Sequence, residues 1–220
     1  MLSVNDDPNR QLMADDEIKA VIDTAHALGL KVAAHAHGKQ AIDSAVRLGV
    51  DSIEHGSFAD AESYRLMKQH GTYLVPTLLV AQTVADVART HPEQLNPSSA
   101  QKALMVAPRI QKNLHDAYEA GVKVAFGTDQ GLAPHGTNAK EFALMVAAGM
   151  SPMDAIIAAR GSAADLIGDP QDIGSVRPGR YADIVAVDAD PLADIRTLEN
   201  VQFVMKGGEI YKQNGQIVAR

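Results

Sequence analysis

Three short apolar segments, each ending in a side chain of a type that binds metal ions, constrain the fold of this chain more than any other feature. The segments cover residues 32–38, 52–56 and 124–129, and their metal-binding side chains are His35, His55 and Asp129. Each segment has the length and residue types of a buried β-strand. Because parallel α/β folds place their active sites at the carboxyl ends of strands, the pattern predicts a functional site along one edge of a parallel sheet.

Helical periodicity fills the sequence between these segments, and glycines such as Gly29, Gly49 and Gly71 mark the predicted helix ends. The predicted strands cover residues 31–36, 51–54, 72–75 and 123–127. The predicted helices cover residues 15–28, 39–48, 60–70, 78–89, 100–120, 138–148, 152–160 and 162–166. Four successive strand–helix units predict an α/β fold with a parallel sheet and crossover helices.

The character of the sequence changes near residue 168. Beyond it, short strand candidates cover residues 181–187, 201–206, 209–211 and 216–219. The pairs Gly207-Gly208 and Asn214-Gly215 are typical of hairpin turns. We therefore expect two regions, an α/β unit over residues 1–168 and a small β unit over residues 169–220.

Composition narrows the function classes. The 220 residues carry a net charge of −7 without a basic cluster, which argues against a nucleic-acid partner. There is no cysteine, so a metal would have to be held by His, Asp or Glu, which suits zinc or a similar divalent ion. Neither a signal peptide nor a membrane-spanning run is recognisable, so we expect a cytoplasmic protein without membrane contact.

Motifs along the whole chain resemble those of the amidohydrolase superfamily. The matching stretches are AAHAHG, IEHG and FGTD, followed by GSVRPGRYADIVAVDADPL and VMKGGEIY. The resemblance is greatest to metal-dependent prolidases, Xaa-dipeptidases and imidazolonepropionase-like hydrolases. Members are (β/α)8 barrels with a β-sandwich. The resemblance implies that this chain is α/β, a partial (half) TIM-like barrel matching strands 5–8, with C-terminal β-sandwich strands.

The resemblance also implies roles for individual residues. His35 matches the metal ligand of the family's fifth strand, and His55 matches that of the sixth. Asp129 matches the eighth-strand aspartate, which binds metal and takes the proton from the attacking water. The family's first-strand His-x-His and bridging Lys have no counterpart in these residues.

Three further residues are candidates for contact with a substrate. His37 lies two positions after His35, so on a strand both side chains would point the same way. It either lines the pocket or is a structural histidine. His135, in the loop after Asp129, is either a substrate contact or an exposed loop residue. Tyr73 either bonds to substrate or packs within its strand.

The expected activity is metal-dependent hydrolysis of C–N bonds in a small amide or dipeptide-like substrate, with Asp129 as the general base. One alternative is a non-catalytic metal-binding remnant of such an enzyme. Another is a half-enzyme completed by self-association. Because a half-barrel would expose sheet edges and apolar surface, we expect a homo-oligomer.

Overall fold

The computed structural model describes residues 7–132 and 134–218, and its centre is a parallel sheet. The strands are β1 (Ala33–Ala36), β2 (Ser52–His55) and β3 (Tyr73–Val75), hydrogen-bonded in the order β1-β2-β3. All pairings are parallel. The predicted parallel sheet is therefore confirmed for the first three of its four predicted strands.

The fourth predicted strand, residues 123–127, is reduced to a single parallel bridge between Leu74 and Val124. The Leu74 N–H donates to the Lys123 carbonyl at 2.8 Å, and the Ala125 N–H donates to the Leu74 carbonyl at 3.0 Å. The Phe126 N–H does not continue this pairing with β3, because it donates to the Ala158 carbonyl at 3.1 Å. The segment lies beside β3, but a single bridge does not make it the full strand that was predicted.

Helices precede, separate and follow the strands in the chain, and they cover one side of the sheet. They are α1 (Asp15–Ala27), α2 (Lys39–Leu48), α3 (Ala61–His70), α4 (Leu78–Thr90), α5 (Pro97–Glu119), α6 (Lys140–Ala147), α7 (Pro152–Ile157) and α8 (Ala163–Ile167), with a π-helical turn, Ala158–Ser162, between the last two. Pro108 lies inside α5. Within the described ranges, no helix is long and apolar enough to cross a membrane.

The hydrophobic core lies between the sheet and these helices. Ile53 of β2 and Leu74 of β3 are fully buried there, together with Ile42 of α2, Met67 of α3 and Leu114 of α5. Burying such side chains contributes about 1.5–3 kcal/mol each. Packing against the helices therefore fixes the position of the strands, and the candidate site lies at the carboxyl ends of these strands.

The opposite side of the sheet is only partly covered. Pairing of the strands aligns His35 with Glu54, and Glu54 with Val75. His35 is exposed, whereas Val75 packs against Tyr73 and Ala125 in a small buried cluster. We call the side bearing His35, Glu54 and Val75 the inner face. It is open beside β1 and closed beside β3.

A second, antiparallel sheet forms the C-terminal part of the described chain. Its strands are β4 (Ile184–Ala186), β5 (Phe203–Lys206), β6 (Glu209–Gln213) and β7 (Gln216–Ile217), in the order β4-β5-β6-β7. The turns at Gly207-Gly208 and Asn214-Gly215 have positive φ, as the hairpin prediction requires. The end of the last predicted strand, residue 219, lies outside the described residues. The division near residue 168 stays a prediction.

Candidate metal centre

Three histidine rings meet at the carboxyl ends of β1 and β2. His35 lies on β1, His37 follows it, and His55 ends β2, where it pairs with Ala36. One ring nitrogen from each histidine lies within 4.8 Å of the others. The ring centroids are 4.8 Å apart for His35 and His37, 4.7 Å for His35 and His55, and 5.0 Å for His37 and His55. Parallel pairing of adjacent strands therefore brings His35 and His55 together, as predicted, and adds His37. Asp129, which was predicted to converge with them, is not part of this group of ligand atoms.

Hydroxyl groups fix two of the rings through their Nδ1 atoms. His37 Nδ1 lies 2.7 Å from Ser57 Oγ, and His55 Nδ1 lies 2.6 Å from Thr77 Oγ1. His37 Nε2 is buried and has no hydrogen-bond partner among the described residues. Metal-binding histidines commonly use one ring nitrogen for the metal and the other for an orienting partner. The buried, unpaired Nε2 of His37 fits that arrangement.

The histidines are held in their neutral form. Burial, followed by the neighbouring rings of His55 and His35, lowers the pKa of His37 to about 2. Burial, followed by the charge of His35, lowers the pKa of His55 to about 3. Burial also lowers the pKa of His35, against the opposing charge of Asp129. Neutral imidazole is the form that binds a metal ion, so the cluster is ready to do so at neutral pH.

Two acidic residues, Glu54 and Asp129, lie near the histidine rings. Asp129 lies close enough for its charge to raise the pKa of Glu54 and to oppose the lowering at His35. Glu54 pairs with His35 across the strands, and burial is the main cause of its raised pKa. The Ser52 hydroxyl donates to Glu54 Oε1 at 2.6 Å. Glu54 was not among the sequence-based candidates, because strand alternation places it on the opposite face from His55. The left-handed backbone of His55, with a φ of 68°, breaks that alternation at the end of β2.

The backbone at this edge adopts an unusual conformation. His55, Thr77 and Asp129 have φ values of 68°, 52° and 47°. This left-handed region is uncommon for residues other than glycine and costs of order 1–3 kcal/mol each. Such conformations cluster at active sites, so the three residues make this edge a candidate functional site.

The other two predicted substrate residues are Tyr73 and His135. Tyr73 begins β3, at the end of the strand away from the histidines, and its hydroxyl donates to Asp165 Oδ2. The Lys123 ammonium lies 5.1 Å from the centre of the Tyr73 ring. His135 is exposed in the loop after Asp129. This loop is held near the strand ends by Asn138, whose Nδ2 donates to Thr128 Oγ1 at 2.9 Å.

Comparison with known proteins assigns the chain to a family. The sequence model of the amidohydrolase family matches residues 6–211, nearly the whole chain. The chain belongs to the amidohydrolase family. This amidohydrolase chain is 34% identical to the ochratoxinase of Aspergillus niger over 220 residues, which are 98% of this chain and 45% of that protein. The chain spans about half the length of the curated relatives it matches.

Solved structures give the same assignment. The amidohydrolase chain superposes on a Xaa-Pro dipeptidase with bound methionine at a TM-score of 0.93 and 42% identity, over 96% of this chain and 52% of that one. The Aspergillus niger ochratoxinase structure gives a TM-score of 0.86 and 35% identity, over 96% and 48%. A prolidase complexed with N-methylphosphonate-L-proline gives 0.88 and 31%, over 94% and 51%. The predicted fold class is confirmed over about half the length of these enzymes.

Proposed function

We propose that this chain carries the metal-binding part of an amidohydrolase that cleaves an amide or dipeptide-like C–N bond in a small molecule. The observation that carries the proposal is the convergence of His35, His37 and His55, with a buried and unpaired Nε2 on His37. A divalent ion, zinc or one similar, suits three neutral imidazoles in a chain without cysteine. His35 and His55 are the proposed metal ligands with Asp129, and His37 completes the imidazole set.

A divalent ion held in this position would polarise a substrate carbonyl and lower the pKa of a bound water molecule. Asp129 then acts as the general base, accepting a proton from the attacking water and returning it to the leaving amine. Its position at the strand ends, close enough to affect the pKa of His35, supports this role. Ser57 and Thr77 orient the rings of His37 and His55.

The relatives suggest which substrates to test first. An Xaa-Pro dipeptidase and a prolidase are among the matching structures, so dipeptides with a C-terminal proline form the first panel. His135, exposed beyond Asp129, is the proposed substrate contact. The Tyr73 hydroxyl already bonds to Asp165, which favours the packed-aromatic interpretation for that residue.

The decisive experiment measures zinc content and hydrolysis together. We expect at most one zinc per chain in the parent protein, and at least about tenfold weaker binding in His35→Ala and His55→Ala, because each loses a ligand. Asp129→Asn should keep most of the zinc and lose at least about 100-fold in rate, the usual contribution of a general base. His70→Ala, an exposed histidine of α3, is the matched control and should behave as the parent.

The outcomes separate the proposal from its alternatives. If His35→Ala and His55→Ala hold as much zinc as the parent protein, the assignment of the site is wrong. If the parent protein binds zinc and hydrolyses nothing in the panel, the non-catalytic metal-binding alternative replaces the enzyme. If hydrolysis appears only in an associated form, the half-enzyme alternative applies.

A further inference from the structure

The most deeply buried acidic side chain of the described residues lies outside the histidine cluster. Glu141, in the first turn of α6, has no solvent-exposed surface. Its Oε1 accepts the backbone N–H of Leu78 and its Oε2 accepts that of Leu79, both at 2.7 Å. Leu78 begins α4, so Glu141 satisfies two of the free N–H groups at the start of a helix far away in the sequence.

The residue that would normally cap α4 does not do so. Thr77 immediately precedes the helix, but its side chain makes no hydrogen bond to the helix start. A threonine in that position usually accepts a backbone N–H from the first turn. Here Thr77 has a φ of 52°, and its hydroxyl lies 2.6 Å from His55 Nδ1. The hydroxyl that could cap the helix is therefore used by the imidazole.

We propose that Glu141 is a positioning residue for His55: it caps α4 in place of Thr77, and so allows the Thr77 hydroxyl to hold the imidazole in a fixed orientation. The importance of that orientation for metal binding rests on the function proposed above. The effect of Glu141 on the orientation of the His55 ring does not depend on that function.

Burying the Glu141 carboxylate costs free energy, and this cost supports a role for Glu141 beyond capping α4. Burial raises the pKa of Glu141 to about 7 even though two backbone N–H donors act in the opposite direction. An exposed cap avoids this burial. Asp60 provides one at α3, where its Oδ1 accepts the N–H of Glu62 at 3.0 Å and that of Ser63 at 3.2 Å. The buried carboxylate is a costly way to cap a helix unless Thr77 is needed elsewhere.

The test compares Glu141→Ala with Asp60→Ala, since each removes a carboxylate that accepts two backbone N–H groups. The first readout is the tautomer of His55 in metal-free protein, from the ¹⁵N chemical shifts of its ring. The second is the zinc dissociation constant, from competition with a chromophoric chelator. We expect the parent protein to show one His55 tautomer. Glu141→Ala should show a mixture of tautomers and weaken zinc binding about 10–100-fold, as removal of partners that orient metal ligands does. Asp60→Ala should lower the unfolding midpoint but leave both readouts unchanged.

Variants of Thr77 test whether Glu141 acts on His55 through the Thr77 hydroxyl. Thr77→Val removes the hydroxyl and should reproduce the effect of Glu141→Ala, whereas Thr77→Ser keeps the hydroxyl and should retain parent-like values. In the Thr77→Val background, Glu141→Ala should weaken zinc binding no further, because the link to His55 is already broken. Glu141→Gln keeps the shape of the side chain and replaces Glu141→Ala if that protein does not fold.

Two results would overturn the proposal. One is a Glu141 variant with reduced stability but a parent-like His55 tautomer and zinc dissociation constant, which would make Glu141 a purely structural cap. The other is an additive loss of zinc affinity in the Glu141→Ala, Thr77→Val double variant. If the parent protein binds no zinc, the proposed function fails, but the tautomer measurement still decides the coupling.

Discussion

Acid should destabilise the metal-free protein through His37, and replacing that histidine should remove a defined part of the effect. Burial and the neighbouring rings lower the pKa of His37 from 6.5 to about 2. Unfolding returns the ring to water, where its pKa is again about 6.5. Between these values the unfolded chain binds a proton that the folded chain does not, so the stability present above the unfolded pKa is lost as the pH falls.

The size of the effect follows from the linkage between proton binding and folding. One proton bound only in the unfolded state changes the free energy of unfolding by about 1.4 kcal/mol per pH unit. Between about pH 8 and about pH 4.5, His37 should therefore cost about 3 kcal/mol, against a typical total stability of about 5–15 kcal/mol. His55, whose pKa is lowered to about 3, adds to the acid sensitivity in the same direction. Buried Glu54 and Glu141, whose pKa values are raised, oppose it.

A comparison of variants isolates His37 from these other groups. Urea unfolding in the presence of a chelator, monitored by circular dichroism, gives the free energy of unfolding of the parent protein and of His37→Gln across this pH range. The difference between the two should change by about 3 kcal/mol. His70→Gln replaces an exposed histidine of α3 and should follow the parent protein. A difference between the parent protein and His37→Gln that stays constant with pH would refute the reasoning.

Two further predictions concern packing and assembly. A Cβ at Gly127 would lie 2.4 Å from Val75 Cγ1, so Gly127→Ala should cost about 1–3 kcal/mol in urea unfolding. Gly131→Ala is the control, because a Cβ there meets nothing within 4 Å. Leu12 and Met13 are 68% and 45% exposed and line an apolar cavity of about 390 Å³ beside β1, so the chain should self-associate. Sedimentation should show an oligomer that Leu12→Asp weakens, and a parent protein that remains monomeric at micromolar concentration would contradict this.

Local sequence signals predicted most of the fold. Gly49 and Gly71 were predicted to end helices, and both adopt the left-handed conformation at the helix ends, with φ values of 99° and 75°. The fourth strand was overpredicted because the Phe126 N–H bonds to the carbonyl of Ala158, a long-range contact that an apolar run does not encode. Local patterns therefore predicted where elements lie, and tertiary hydrogen bonds decided how far the last one extends.

The candidate site was predictable only in part. His35 and His55 follow from their positions at strand ends, and parallel pairing brings them together. Glu141 could not be found in this way, because a glutamate in the first turn of a helix is ordinary and interacts favourably with the helix dipole. Its acceptor role becomes visible only when α6 packs against the start of α4, 62 and 63 residues earlier in the chain.

At His55, Thr77 and Asp129, which have a left-handed backbone, selection for stability and selection for metal binding favour different residues. Glycine would relax each position at no steric cost, yet it would delete an imidazole, the hydroxyl that orients it or the nearby carboxylate. A library of variants screened for heat resistance alone should therefore drift toward glycine or asparagine at these three positions. A library screened for metal retention should keep the original residues and gain its heat resistance elsewhere, since natural proteins commonly trade stability for function at such sites.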